Sequence, residues 1–490
     1  MRSTRTPRAV VIGAGAGGLA AAAVLSRRCE THVFERASTP GGKMRAATVG
    51  DRTIDCGPTV FTMKWVFEAL FAAAGAAFPG NLKLTALDVL ARHGWRDGAR
   101  FDLFADEARA TAAVGEFAGA AEAERFREFR RSARRKYEVL RDPFLRAPSP
   151  SASRLAFSRS PLDLLALDGF STLWSALERH FEDPRLRQLY GRYATYTGCS
   201  PFAAPATLML IAHVEQEGVW AVEGGMAALA REMEAAGANN GARYHYDRPV
   251  AEIIIEQGRA AGVRTTDGEE IRAEIVVLNA DVAALRAGLF GADAARAAPG
   301  GIKGPRSQSA ITWATLAEAS GFDLSTHTVF FSDNYRAEFD AVFARGTPPA
   351  TPTVYAFAPD RPAGGAGPEP VFLLINAPAG ARLSEEEINA CRMRTFEHLS
   401  RCGLTLTHAP ETTEVQTPET FAERFPATEG ALYGTAGHGW MSAFQRPATT
   451  TRLPGLYLAG GSVHPGPGVP MATLSGQTAA TAALAACGSM

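Results

Sequence analysis

The chain has 490 residues, of which 46% are hydrophobic and 21% are charged. This length and composition predict two or three domains with large cores and argue against extended disorder. The formal net charge of -1 argues against a nucleic acid as the partner. Six widely spaced cysteines, none at CxxC spacing, favour reduced thiols in a cytoplasmic protein and argue against a metal site. No apolar run is long enough to predict a transmembrane helix.

The first predicted elements are a buried strand, a glycine-rich turn, a helix and a second buried strand, which span Ala9 to Glu35. Gly13, Gly15 and Gly18 have GxGxxG spacing, which suits a tight turn, a close approach to a pyrophosphate, and close packing of helix on strand. The helix N-terminus offers N–H groups and a partial positive charge to a diphosphate. Glu35 can hold both ribose hydroxyls and would repel a 2′-phosphate, so we expect FAD or NAD rather than NADP.

The segment PGGKMR, from Pro40 to Arg45, follows the second strand closely. It resembles the extended motif of the glutathione reductase-like and amine oxidase-like flavoproteins, in which a glycine pair and a basic residue cover the FAD diphosphate. The resemblance implies that Gly41, Gly42 and Lys43 contact FAD, although Lys43 can also be a solvated loop lysine. No second GxGxxG unit has the right context, so we expect no bound nicotinamide and instead a quinone or oxygen as the electron acceptor.

Later segments are expected to complete the cofactor domain. Residues 248–281 predict two strands, a turn at Asp267-Gly268 and the buried strand EIVVLNA. The flavoprotein resemblance places the backbone of Val250 at the adenine. Near the end of the chain, GLYLAG predicts a strand and MATLSGQTAATAALAA a helix. Between these pieces, residues 111–200 are mainly helical in pattern and residues 300–430 contain β-like runs.

The sequence therefore predicts an α/β protein with a Rossmann-like FAD-binding domain, a β-sheet substrate domain and a helical insert. We expect the discontinuous FAD-binding domain at 1–75, 222–290 and 446–490. The substrate-binding domain is expected at 76–110, 200–221 and 291–445. Residues 111–199 are expected to form a helical insert that associates with a membrane.

Three segments carry a narrower resemblance: DCGPTVFTMKWVFEALF, WAVEGGMAALAREM and AGGSVHPGPGVPMATLSG. They are similar to the bacterial phytoene desaturase family, and the first and last are closest to its hydroxyneurosporene desaturase branch, also called methoxyneurosporene dehydrogenases. The resemblance implies FAD-dependent insertion of the 3,4 double bond into an acyclic 1-hydroxycarotenoid. A hydride would pass to flavin N5, and the electrons would then pass to a quinone or to oxygen.

The resemblance also assigns site residues around the flavin. It implies that one face of the ring is lined by a short loop, and that the N-terminus of the last helix lies near the ring. Many relatives have an aspartate that bonds the ribityl chain after the late strand, whereas this chain has Gly460-Gly461-Ser462. The flavin contacts implied in this way are Gly57, Pro58, Thr59, Gly460, Gly461, Pro470 and Met471.

A carotenoid substrate implies contact with a membrane. Transfer of a forty-carbon polyene from an apolar phase to water costs on the order of 30 kcal/mol, so the substrate has to be taken directly from the lipid. The basic, aromatic segment Glu124–Arg146 and the apolar segment Arg154–Trp174 are candidate docking elements. The alternative is a solvated charged helix beside a core segment. We expect a peripheral protein on the inner or intracytoplasmic membrane.

His464 and Glu223 are the candidate catalytic bases. By resemblance His464 lies near the isoalloxazine, where it either takes a proton or packs against the ring. Glu223 precedes a glycine pair, so the alternative is an acid that fixes a turn. We interpret His213, Glu215 and Glu217 as residues of a helix surface.

Three other functions remain open from the sequence. The first is another carotenoid oxidoreductase, namely a phytoene desaturase, ketolase or isomerase. The second is an amine or porphyrinogen oxidase of the same superfamily. The third is a non-catalytic prenyl-binding protein such as the Rab escort proteins, whose glycine motif is degraded; the intact motif here argues against it.

Overall fold

The glycine-rich segment forms the expected βαβ unit in the computed structural model, which describes residues 6–300, 304–361, 367–408 and 413–488. Its parts are β1 (Arg8–Ile12), α1 (Ala16–Leu25) and β2 (Glu30–Phe34). A parallel five-stranded sheet is completed by β9 (Arg243–His245), β13 (Ile275–Leu278) and β20 (Leu456–Leu458), in the order β20-β13-β1-β2-β9. The predicted Rossmann-like α/β fold is confirmed.

The five-stranded sheet is covered on both faces, because alternate residues of its strands point in opposite directions. Ala9 and Val11 face a helical layer of α1, α2 (Lys64–Ala73), α10 (Gly225–Ala238) and α16 (Val469–Gly488). Val10 and Ile12 face a three-stranded antiparallel sheet of β10 (Val250–Glu256), β11 (Arg259–Thr265) and β12 (Glu270–Arg272). The two apolar layers hold the carboxyl ends of β1, β13 and β20 together at one edge.

A larger, mixed sheet of eight strands contains the β-like runs expected between residues 300 and 430. Its strand order is β18-β14-β17-β16-β15-β6-β7, with β19 paired to β14. Its strands are β6 (Val89–Gly94), β7 (Arg100–Phe104), β14 (Ser309–Gly321), β15 (His327–Phe330), β16 (Val354–Phe357), β17 (Glu369–Ala377), β18 (Leu404–His408) and β19 (Glu414–Gln416). Helix α14 (Glu385–Arg401) packs against it through Cys391 and Leu399.

The segment between residues 107 and 217 is helical, as its composition predicts. Its helices are α3 (Glu107–Ala118), α4 (Ala120–Leu140), α5 (Ala152–Ser158), α6 (Pro161–Ala166), α7 (Leu173–His180), α8 (Pro184–Gly191) and α9 (Leu210–Glu217). A π-helical turn lies at Arg141–Leu145 and a 3₁₀-helical turn at Arg192–Thr197. The remaining elements are β3 (Ala46–Val49), β4 (Arg52–Asp55), β5 (Leu84–Ala86), β8 (Trp220–Val222), α11 (Val282–Arg286), α12 (Ala292–Ala295), α13 (Tyr335–Asp340) and α15 (Pro418–Arg424).

Helix α4 corrects one expectation about the membrane-facing insert. Phe126, Phe129 and Tyr137 point into the core and are buried, so these aromatic residues do not lie on a lipid-facing surface. Several arginines form ion pairs on the outer side, such as Arg127 with Glu124, whereas Lys136 is buried. α4 is thus amphipathic in the ordinary sense, with its apolar stripe inside. Among the helices that the structure describes, none is long and apolar enough to cross a membrane.

Candidate active site

The glycine-rich turn packs so closely on neighbouring backbone that its glycines have no room for side chains. A Cβ on Gly18 would lie 1.9 Å from the Gly13 carbonyl oxygen, and one on Gly17 would lie 2.7 Å from the Gly460 nitrogen. Gly13 has a φ of 95°, a conformation that favours glycine. Helix α1 begins after Gly15, and no side chain of the described residues caps it. Its first N–H groups can therefore face an anion.

Glu35 directly follows β2 and is nearly buried, with 8% of its surface accessible. Its two carboxylate oxygens accept hydrogen bonds from the backbone N–H of Ala14, at 2.6 Å, and of Ala37, at 2.9 Å. These bonds fix the carboxylate beside the glycine-rich turn. Each oxygen keeps a further lone pair, so the group can still accept hydrogen bonds from two hydroxyls.

The Gly41-Gly42 pair lies directly on the glycine-rich turn. Gly41 N–H donates to the Ala14 carbonyl at 2.8 Å, and a Cβ on Gly42 would lie 3.2 Å from the Gly15 Cα. The next residue, Lys43, turns inward. The glycine-rich turn and the Gly41-Gly42 pair therefore form one continuous backbone surface.

Lys43 does not behave as a solvated loop lysine. Its Nζ donates to the carbonyl of Leu432 and lies 5.0 Å from the centre of the Phe425 ring. Burial lowers the pKa of Lys43, and the negative charge of Asp281 partly offsets this. A partly desolvated cation next to the cofactor loops suits an anionic ligand.

The loop Gly57-Pro58-Thr59 joins the cofactor side of the molecule to the larger sheet. A Cβ on Gly57 would lie 1.9 Å from the Lys43 carbonyl oxygen, which explains the glycine. Thr59 Oγ1 lies 2.6 Å from the Tyr355 hydroxyl on β16, and that hydroxyl lies 2.7 Å from His327 Nδ1 on β15. The contact between Thr59 and Tyr355 thus joins this loop to the larger sheet, a relationship that no sequence pattern indicates.

Asn279 is a central residue that the sequence did not indicate. It follows β13, and its Nδ2 donates to the Gly13 carbonyl at 3.2 Å. Added Cβ atoms on Gly15 and Gly460 would lie 2.9 and 3.0 Å from its amide. Gly460 N–H also donates to Ser475 Oγ at 2.8 Å. Asn279 thus holds the early and late glycine turns together, and only the fold brings them side by side.

The other predicted flavin contacts of the late segment lie at the start of α16. Pro470 and Met471 are in its first turn and are partly accessible. The Gly461 carbonyl oxygen lies 3.5 Å from Nη1 of Arg446, a nearly buried arginine. Val250 is the first residue of β10, where it pairs with Thr265. Its role at the adenine stays a prediction.

His464 is buried beneath the N-terminal end of α16. Its Nε2 lies 2.9 Å from the Phe144 carbonyl oxygen and 3.1 Å from that of Ala147. Since carbonyls only accept, Nε2 carries the proton and Nδ1 keeps its lone pair. Nδ1 has no hydrogen-bond partner among the described residues. Burial lowers the pKa of His464 to about 4, and Arg446 and Arg154 add to the decrease, so the ring is neutral near pH 7.

Glu223 does not join this site. Its side chain is 67% exposed and forms an ion pair of 3.3 Å with Lys83. Its backbone N–H donates to the Lys83 carbonyl. The Glu223 carboxylate contacts solvent and Lys83 and does not line an enclosed pocket. This geometry disagrees with a catalytic base and agrees with the alternative, an acid that fixes a turn.

Glu215 corrects the interpretation of α9 as a surface segment. It is buried and accepts hydrogen bonds from the hydroxyls of Tyr193, at 2.6 Å, and Tyr196, at 2.8 Å. Arg192 lies 3.6 Å from the same carboxylate. His213 is partly buried and is 3.5 Å from Glu217. The sequence missed the Glu215 cluster because its partners come from a different helical segment.

The cofactor elements fit FAD. A diphosphate suits the uncapped N-terminus of α1 and the backbone surface of the glycine-rich turn and the Gly41-Gly42 pair. Glu35 is placed to accept hydrogen bonds from two ribose hydroxyls. The residues that would hold it are those around the carboxyl ends of β1, β13 and β20. These features define a flavin-dependent oxidoreductase.

The chain belongs to the flavin containing amine oxidoreductase family, whose model matches residues 16–484, and it is an FAD-dependent oxidoreductase. The expected resemblance to the carotenoid desaturases is confirmed. The chain is 49% identical to hydroxyneurosporene desaturase of Rubrivivax gelatinosus, over 98% of this chain and 94% of that protein. It is 43% identical to the hydroxyneurosporene desaturase of Cereibacter sphaeroides, over 98% of each.

A solved structure supports the fold independently. An oxidoreductase from Methanosarcina mazei superposes with a TM-score of 0.63 at 15% identity, over 96% of this chain and 99% of the other. At this identity the likeness concerns the fold alone. It extends over both the cofactor sheet and the larger sheet.

Proposed function

We propose that the protein desaturates an acyclic 1-hydroxycarotenoid of the hydroxyneurosporene type at C3–C4. The proposal rests on the names of its relatives and on one structural observation. Leu155 of α5 and Phe144 of the turn after α4 belong to one apolar cluster, and the Phe144 ring stands against the imidazole of His464. An apolar lining beside the proposed base suits a long hydrocarbon and does not suit a small polar amine.

The reaction removes a hydride from C4 and a proton from C3. FAD, when bound, supplies the hydride acceptor. C4 is allylic to the polyene, so positive charge that develops there is delocalised and the C3 proton becomes acidic enough for a weak base. The Nδ1 lone pair of His464 is the proposed proton acceptor. The two electrons then leave the protein to a quinone or to oxygen.

His464 has the properties that this role requires. Its tautomer is set by the Phe144 and Ala147 carbonyls, so Nδ1 is unprotonated before the reaction. Phe144 stands edge-on to the imidazole at 4.8 Å, and Phe444 lies against Phe144 at 5.3 Å. These rings exclude water from the base, which protects the reactive carbon centre from side reactions.

The membrane surface is the proposed source of the substrate. Phe157, Leu162 and Leu165 on α5 and α6 are 92%, 77% and 77% exposed, and Phe170 is 85% exposed beside Trp440. Large apolar side chains are seldom grouped on the surface of a protein that meets only water. Leu155 on the inner side of α5 belongs to the same apolar cluster as Phe144, so we propose that this patch enters the headgroup region of the inner or intracytoplasmic membrane.

The test is incubation of the purified protein with FAD, liposomes and 1-hydroxyneurosporene, followed by pigment analysis. Formation of the 3,4-desaturated product is the expected result. Parallel anaerobic reactions with and without a quinone identify the electron acceptor. Conversion of phytoene, with the hydroxylated substrate left unchanged, would overturn the proposal.

A further inference from the structure

A polar cluster lies between the helical segment and the larger sheet, in the interior of a protein proposed to hold a hydrocarbon. One part joins Arg192, Tyr196 and Glu215. The other part joins Tyr355 with Thr59 and His327. The two parts are close enough that the charges of Arg192 and Glu215 act on the pKa of Tyr355.

Stability alone is a poor reason for this cluster. Burying an ion pair such as Arg192 and Glu215 contributes little net stability compared with apolar residues of similar volume. In addition, Arg192 Nε and His327 Nε2 are buried and have no hydrogen-bond partner among the described residues. Unpartnered buried polar atoms lower stability, so their presence beside a buried ion pair calls for a reason other than stability.

The two phenol hydroxyls at the centre of the cluster each keep one acceptor position. The Tyr196 hydroxyl donates to Glu215 and accepts from Arg192. The Tyr355 hydroxyl has one proton, so it can donate to only one of Thr59 and His327. It accepts at most one hydrogen bond from the other residue. A phenol oxygen has one donor and two acceptor sites. Each phenol can therefore accept one more hydrogen bond, which is what an alcohol O–H requires.

Both phenols are largely enclosed by protein but are not fully buried. Burial raises the pKa of Tyr196 and of Tyr355, while both residues keep an intermediate accessible surface. Apolar residues that pack against the helical core, such as Val60 and Ile211, are also partly accessible.

We propose that Tyr355 and Tyr196 bind the C1 hydroxyl group of the carotenoid and thereby select hydroxylated over unhydroxylated substrates. This inference rests on the proposed function. In the substrate, C1 and C4 are separated by three bonds, or roughly 4 Å, so the hydroxyl site has to lie close to the flavin. Tyr355 meets this condition through Thr59, which belongs to the loop assigned to the flavin face.

The test compares kcat/KM for 1-hydroxyneurosporene and for neurosporene, which lacks the hydroxyl. The wild-type protein is expected to prefer the hydroxylated substrate strongly, since a site built to bind a hydroxyl is left with unpaired groups by the analogue. In Tyr355→Phe and Tyr196→Phe we expect this preference to fall about 10- to 100-fold each. The fall in kcat/KM should be larger for the hydroxylated substrate than for neurosporene.

Tyr190→Phe is the matched control. Tyr190 is a buried tyrosine in the helical core, and its hydroxyl has no hydrogen-bond partner among the described residues; its replacement should leave the preference unchanged. FAD content and thermal midpoint show that each variant is folded. If the wild-type protein desaturates the hydroxylated substrate and both variants keep its full preference, this inference is overturned and the proposed function stands. If the wild-type protein does not convert the hydroxylated substrate, the proposed function itself fails.

Discussion

His464 Nε2 lies 2.9 Å from the carbonyl oxygen of Phe144, although 320 residues separate the two in the chain. The contact joins the loop before the last helix to the turn after α4. Because the carbonyl can only accept, it fixes which imidazole nitrogen carries the proton. The orientation of the proposed base is therefore set by backbone rather than by a carboxylate.

Replacement of His464 tests its role as the proton acceptor. In His464→Ala we expect the turnover of 1-hydroxyneurosporene to fall roughly 100- to 10,000-fold, the usual contribution of a positioned base. Pigment analysis under saturating substrate measures the rate, and the flavin absorption spectrum shows that FAD is still bound. His213→Ala removes a histidine of α9 and should keep normal turnover. Wild-type rates in His464→Ala would leave only a packing role for the ring.

The low pKa of His464 makes stability depend on pH. The ring stays neutral in the folded protein down to about pH 4, whereas in the unfolded chain it is protonated below the ordinary value of 6.5. Its contribution is therefore present above pH 6.5 and is lost as the pH falls toward 4, by up to about 3 kcal/mol. The free energy of unfolding, measured with denaturant at pH 7 and pH 4.5, should fall more in the wild type than in His464→Ala. Equal losses would contradict this assignment.

Glu35 can be tested through cofactor affinity alone. Glu35→Gln keeps the shape of the side chain but removes the charge that strengthens its hydrogen bonds. We expect the Kd for FAD to rise about 10- to 100-fold, measured by flavin fluorescence on titration of the apoprotein. Glu30→Gln is the control, because Glu30 lies on the same strand and pairs with Arg8 and His32. An unchanged Kd in Glu35→Gln would show that the carboxylate does not bind the ribose.

The exposed patch on α5 and α6 predicts binding to lipid. Each large apolar side chain that enters the bilayer contributes roughly 1.5–3 kcal/mol, so the triple variant Phe157→Ser, Leu162→Ser and Leu165→Ser should lose most of its liposome binding in a flotation assay. Met393→Ser changes an equally exposed apolar residue on α14 and should float normally. The thermal midpoint should not change in either variant. Normal flotation of the triple variant would place the membrane contact elsewhere.

The cofactor half of the molecule could be predicted from the sequence because its signals are local. The spacing of Gly13, Gly15 and Gly18 and the following acid at Glu35 lie within one βαβ unit, and the structure reproduces that unit. Backbone geometry at these positions is set by residues that are near in sequence. No distant contact was needed to foresee the turn or the helix.

The polar interior could not be predicted in the same way. Glu215 looked like a residue of a helix surface, because its buried position depends on Tyr193 and Tyr196, which come from the turn before α9. Asn279 and Tyr355 carry no motif at all. Likewise, the aromatic residues of α4 suggested a lipid-binding surface. A sequence pattern shows that a helix has an apolar stripe, but it does not show whether protein or lipid packs against that stripe.

The order of strands in the parallel sheet also has a consequence for biosynthesis. β20 pairs with β13 and is formed by Leu456–Leu458, while β1 is formed by Arg8–Ile12. The sheet that carries the glycine-rich turn is therefore incomplete until Leu456–Leu458 have left the ribosome. Until then β13 has an open edge, and the Gly460 turn that meets Gly17 and Asn279 is missing. A chain cut before Leu456 would therefore lack one side of the site that is expected to bind the coenzyme.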